Sequence, residues 1–132
     1  MAESVAMKKQ TKILICDDEP FVLRLLQVHF ERNNFDVTTA SNGREALHYL
    51  DKGTPDICLL DVMMPYVSGL ELLTKIRSNP ETESLPVALL TVKAQDDDVY
   101  KGYNRGADMY LTKPFDPEEI VRNVELILQH SQ

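Results

Sequence analysis

The chain is short of basic residues, of cysteine and of long apolar runs, and each shortage removes a class of protein. Only 14 lysines and arginines stand against 21 aspartates and glutamates, leaving a net charge of -7. Such a chain repels polyphosphate backbones, so no direct nucleic-acid binding is expected. Its two cysteines, Cys16 and Cys58, both lie inside apolar runs. That placement suits reduced, buried side chains and neither a disulfide framework nor a thiol nucleophile. No segment approaches the roughly 20 apolar residues that cross a bilayer, and the leading MAESVAMKKQ lacks an apolar core of the signal-peptide kind. No membrane contact and a cytoplasmic location are therefore expected. Internal repeats and low-complexity segments are also missing.

What remains is a chain of 132 residues, 43% hydrophobic, with room for one self-sufficient core and not for a second domain of ordinary size. Residues 1–10 are expected to be a disordered lead and residues 11–132 the domain. Short apolar runs, KILIC (12–16), FDVTT (35–39), DICLLD (56–61), PVALLT (86–91) and ADMYLT (107–112), alternate with segments of helical period. This alternation predicts an α/β fold with a parallel sheet and crossover helices.

The helical segments carry their own punctuation. Pro20 opens the first, with Val22, Leu25, Leu26, His29 and Phe30 at helical spacing. Asn42 and Glu45 are spaced as a cap and its partner before the second, and Gly53 ends it. Ser68 and Glu71 form an S-x-x-E box before the third, whose inward stripe is Leu70, Leu73 and Ile76. The final helix starts at Asp116 as cap, with Pro117, Glu118 and Glu119 in its first turn and Ile120, Val124, Ile127 and Leu128 facing inward. The fourth helix, AQDDDVYKGYNR (94–105), offers only Val99 and Tyr103 as apolar anchors and carries Gly102 in its interior. A weakly held helix is expected there. His29, His48 and His130 read as helix residues without metal-ligand spacing.

Ligands of an open parallel α/β sheet collect at the carboxyl edge of the strands. Asp17 and Asp18 follow the first run, Asp61 ends the third, Thr91 ends the fourth and Lys113 follows the fifth, so all five should share that edge. Taken alone, a strand-end aspartate is ordinarily a turn former or a cap, and Asp18 suits the cap of the first helix. A shared edge is what that reading leaves unexplained. Three carboxylates in one pocket repel, and a divalent cation is the simplest remedy. Oxygen ligands with room for water and phosphate oxygens suit Mg²⁺. Lys113 adds a compact positive charge and Thr91 a hydroxyl donor, completing a set of parts suited to phosphoryl transfer onto a carboxylate.

The motifs ILICDDE, LLDVMMPYVSG, LLT and GADMYLTKPF, in this order and from about Lys12 to His130, resemble the receiver domain of two-component response regulators, a CheY-like phosphoacceptor module. The resemblance implies a doubly wound (βα)5 domain whose five-stranded parallel sheet has the flavodoxin-like order 2-1-3-4-5, with helices on both faces. It implies that Asp61 accepts a phosphoryl group from a histidine kinase or histidine phosphotransfer protein. Asp17, Asp18, Asp61 and the backbone carbonyl of Met63 would hold Mg²⁺, and Thr91 and Lys113 would contact the phosphoryl group. Thr91 and Tyr110 match the switch positions, and Lys113–Pro114 the position of a cis peptide. The implied output is the surface of the fourth helix, fifth strand and fifth helix, open to a downstream effector or to dimerisation. The close at QHSQ suits either a stand-alone regulator or a receiver whose C-terminal output domain is missing. Such a domain is not an enzyme, although it assists its own phosphorylation and dephosphorylation.

Two rivals make different demands. A Mg²⁺-dependent phosphatase of the haloacid dehalogenase type needs a second acid two residues after its nucleophile, where this chain has Met63. A phosphorylation-independent interaction module would ordinarily lack an acid or the lysine, and here all are present. The family commonly has a small residue after the threonine, whereas Val92 stands here, followed by Lys93. Val92 would restrict water at the pocket mouth, and Lys93 would steer a phosphorylated partner. The aspartyl phosphate is therefore expected to decay more slowly than in Val92→Ala, and equal decay rates would contradict that role.

Overall fold

A computed structural model describes residues 10–92 and 106–130. The weak helix expected over 94–105, Lys93 and residues 1–9 of the lead lie outside the described residues. One parallel sheet in the order β2-β1-β3-β4-β5 runs through the domain. Its strands are β1 (Thr11–Cys16), β2 (Phe35–Ala40), β3 (Ile57–Asp61), β4 (Val87–Val92) and β5 (Met109–Lys113). The described helices are α1 (Pro20–Arg32), α2 (Gly43–Lys52), α3 (Gly69–Ser78) and α4 (Pro117–His130).

The near-continuous apolar runs are explained by burial on both faces of the sheet. Side chains alternate across a strand, so Ile13, Ile15, Leu59 and Leu90 face α1 and α4 in one cluster. Leu14, Cys16, Cys58, Leu60 and Leu89 face α2 and α3 in the other. On α1 the inward stripe is Leu26 and Phe30 with Val22 and Leu23 beside them. Leu25, expected in that stripe, is half-buried but is not part of the cluster. Both cysteines are free and buried, and burial pushes each thiol up to about 12, which keeps them protonated.

Local chemistry sets the helix starts. Ser68 and Glu71 form a reciprocal capping box on α3. Asn42 caps α2 by accepting from the Glu45 amide, while the Glu45 carboxylate bonds the Ser41 amide and hydroxyl in place of the cap residue. Asp18 does not cap α1: Glu19 occupies that position and makes no capping bond with its side chain. Asp116 accepts from the Glu118 amide as α4 begins.

The strand expected from residue 107 starts at Met109, just after Asp108, whose backbone amide donates to the Val87 carbonyl at 2.8 Å. The Asp108 carboxylate accepts from the Val87 amide at 2.7 Å and from Arg77 at 3.1 Å. Arg77 also donates to the carbonyls of Leu85 and Gly106, tying α3 to the chain before β4 and β5.

Strand order reverses between β1 and β3, and the two chains leave the sheet in different directions beside that line. The carboxyl ends beside that line form the crevice where ligands of this architecture usually sit. Gly69, first residue of α3, passes directly against the Asp61 backbone carbonyl, and a Cβ there would overlap it. Gly69→Ala is expected to cost about 2 kcal/mol, the scale of overpacking. A lowered urea midpoint at unchanged slope would register it, and an unchanged midpoint would mean that the backbone has room to move.

Candidate functional site

Three of the strand-end residues converge on one ammonium. Lys113 at the end of β5 donates to Asp61 Oδ2 at 3.3 Å and lies 3.0 Å from Asp17 Oδ2. It also donates to Glu19 Oε1 at 3.0 Å. Asp17 and Asp61 are only 1% and 5% exposed, so their charges are held where water screens poorly. Backbone geometry orients both: Asp17 Oδ1 accepts from the Glu19 amide at 2.9 Å, and Asp61 Oδ1 from the Met63 amide at 3.2 Å.

Asp18 is exposed, but its carboxylate belongs to a cluster with Asp17 and Glu19 whose oxygens lie within 4.8 Å of one another. Thr91, 1% exposed, is the next-to-last residue of β4, opposite Thr112 in register, and its hydroxyl leans toward the Val92 carbonyl at 3.4 Å. That long contact leaves the hydroxyl only weakly engaged. Met63 meets the site through its backbone, its side chain being 60% exposed. Tyr110 is half-buried and packs on the cluster under α2 and α3. The Lys113–Pro114 peptide is cis. Val92 is exposed at the end of β4.

Glu19 is the residue that sequence reasoning passed over. It follows the acid pair in ILICDDE, and only its position as α1 begins reveals that it reaches Lys113.

Charge is not balanced in this cleft. Burial, and then the Asp17 charge, push the Asp61 carboxyl up to about 7 against the pull of Lys113 and the Met63 amide. Burial raises Asp17 too, against the Glu19 amide and Lys113. Burial pulls the Lys113 ammonium down, but its hydrogen bond to Glu19 and its close contacts with the Asp17 and Asp61 carboxylates outweigh this and hold it up. Asp17 Oδ2 is buried beside Lys113 yet accepts no well-directed hydrogen bond. A buried carboxylate oxygen short of donors, next to two further carboxylates, suits a hard divalent cation of the Mg²⁺ type.

These geometries have close counterparts. The model of the response regulator receiver domain family matches residues 13–125. The chain is 41% identical over 121 residues to PhoP, the alkaline phosphatase synthesis transcriptional regulatory protein of Bacillus subtilis. That match covers 92% of this chain and 50% of PhoP. The chain thus spans about half the length of the curated relatives it matches. Among solved structures, the receiver domain of the Francisella response regulator 1452 is similar with a TM-score of 0.84 at 31% identity, covering 92% of this chain and 99% of that one. The chemotaxis response regulator CheY4 of Vibrio cholerae gives a TM-score of 0.85 at 28% identity, covering 90% of this chain and 99% of its own.

A carboxyl raised when folded keeps a proton that the unfolded chain gives up. Its contribution to stability is complete below about pH 4 and is lost as pH rises through about 7. In chelator, the melting temperature is expected to fall between about pH 5 and pH 7.5. Asp61→Asn, which cannot ionise, should flatten that fall and melt about 3 °C or more above the parent at the upper pH. Parallel pH profiles for the two proteins would show that Asp61 does not titrate in this range.

Proposed function

The chain belongs to the response regulator receiver domain family of two-component signalling, and we propose that within it Asp61 is the phosphoacceptor. As a receiver it is a signalling domain and not an enzyme in the ordinary sense. The observation that carries the reading is the buried Asp61 carboxylate at the switch line of the sheet, sharing one ammonium with Asp17.

The donor is a phosphohistidine on a histidine kinase or histidine phosphotransfer protein. A carboxylate oxygen of Asp61 attacks phosphorus, and the P–N bond breaks with its electron pair returning to the donor imidazole. Lys113 exchanges part of its contact with Asp61 for a phosphoryl oxygen, and the Thr91 hydroxyl turns from the Val92 carbonyl to another. Asp17 and Asp18 would hold Mg²⁺ with Asp61 and the Met63 carbonyl, and Glu19, beside Asp17, adds negative charge to that pocket. Such a cation would supply positive charge against the carboxylates and the phosphoryl oxygens. Movement of Thr91 leaves room that Tyr110 follows inward, which alters the surface of strand β5 and its neighbouring helices. A downstream effector, a joined output domain or a second receiver reads that surface.

Incubation with Mg²⁺ and a small phosphodonor tests the reading. One stable phosphoryl group per chain, absent in Asp61→Asn, is the expected result. Multiple turnover of the donor would identify a phosphatase instead, and failure to label would identify an interaction module without this chemistry.

A further inference from the structure

Tyr66 stands in the loop between β3 and α3 with φ 70, in the left-handed region that bulky side chains rarely adopt. The residue is 69% exposed, so core packing does not hold it there. Arg44, in the first turn of α2, supplies the missing contact: its guanidinium carbon lies 4.5 Å from the Tyr66 ring centroid. Among the described residues Arg44 makes no ion pair, which leaves the guanidinium committed to this stack.

Neighbouring contacts bind the same two segments. Gly43 sits so close to Val67 that a Cβ would overlap its backbone and side chain. Cys16 Sγ lies 3.3 Å from Met64 Sδ and 3.3 Å from the Asn42 carbonyl. At the far end of the loop the Gly69 amide donates to the Val62 carbonyl at 3.0 Å. The loop between these anchors presents the Met63 backbone to Asp61.

We propose that Arg44 is a positioning residue for the phosphoacceptor loop: by covering Tyr66 it holds residues 62–68 in the conformation that offers the Met63 backbone to Asp61 and to the divalent cation. The inference rests on the reading of Asp61 and Mg²⁺ given above. The attraction is between the cation and the negative face of the ring, so a lysine at position 44 retains part of it and an alanine none. Without that cover, nothing on the exposed side of Tyr66 offsets its unfavourable backbone conformation, and the loop relaxes away from Asp61. The effect reaches the site through Met63, not by contact of Arg44 with any reacting group.

Magnesium chloride titrations of the full chain, followed by the amide resonances of Asp61 and Met63, measure the consequence. Arg44→Ala is expected to weaken binding about threefold, the scale of one exposed cation–π contact, with a melting temperature in chelator lowered by no more than about 4 °C. Arg44→Lys should recover most of the loss. Tyr66→Leu should match Arg44→Ala, and the double variant should be no weaker than either single one. Coincident titrations of Arg44→Ala and the parent, no recovery by lysine, or additive losses in the double variant would each overturn the assignment. A parent chain that neither binds Mg²⁺ nor labels on Asp61 would instead overturn the functional reading beneath it.

Discussion

The structure turns on one ammonium among carboxylates. Lys113 reaches Asp17, Asp61 and Glu19 within 3.0 to 3.3 Å, and it comes from the last strand of the sheet while its partners come from the first and third. That contact requires β5 to end level with β1 and β3, and parallel pairing through β4 sets the register that makes it so. A single positive charge does not neutralise three acids, two of which, Asp17 and Asp61, are buried. Burial first, and then the neighbouring carboxylate charge, raises the Asp61 and Asp17 carboxyls, and a divalent cation and a phosphoryl group together would find unneutralised charge there.

The cleft is held by elements of unequal strength. The sheet beneath it is buried on both faces, so the Cα positions of Asp17, Asp61 and Thr91 inherit the rigidity of the core. The loop after Asp61 has less of that support, reaching the core through Val62, Met64 and Val67 while Met63 and Tyr66 stand exposed. It is held by the capping box at Ser68, by the close passage of Gly69 along the Asp61 backbone and by the contacts with the entry of α2. A rigid carboxylate beside a loop held by small contacts can keep its nucleophile in place while the groups around it adjust.

Most of the architecture was legible before any coordinates, because apolar runs buried on both faces and capped amphipathic helices are written in local periodicity. The Ser68 box, the Asn42 cap and the Pro117 start rest on neighbours within a few residues, and sequence reasoning reaches them. Its errors lie where a side chain takes a distant partner. β5 starts only after Asp108, whose carboxylate bonds Val87 and Arg77. Glu19 takes the cap position expected of Asp18, and its side chain goes to Lys113 and not to the helix amides.

Local apolar periodicity settles which side chains end the strands, since an apolar run that stops at an aspartate, a threonine or a lysine places that residue at the sheet's edge wherever the strand lies. Which of them meet is settled by the fold as a whole. Strand order, register and the path of the chain between β3 and α3 depend on packing between segments far apart in sequence. Ionic and stacking contacts fall off over a few ångströms, so the pairing of Lys113 with Asp17 and Glu19, and of Arg44 with Tyr66, exists only once that packing has formed.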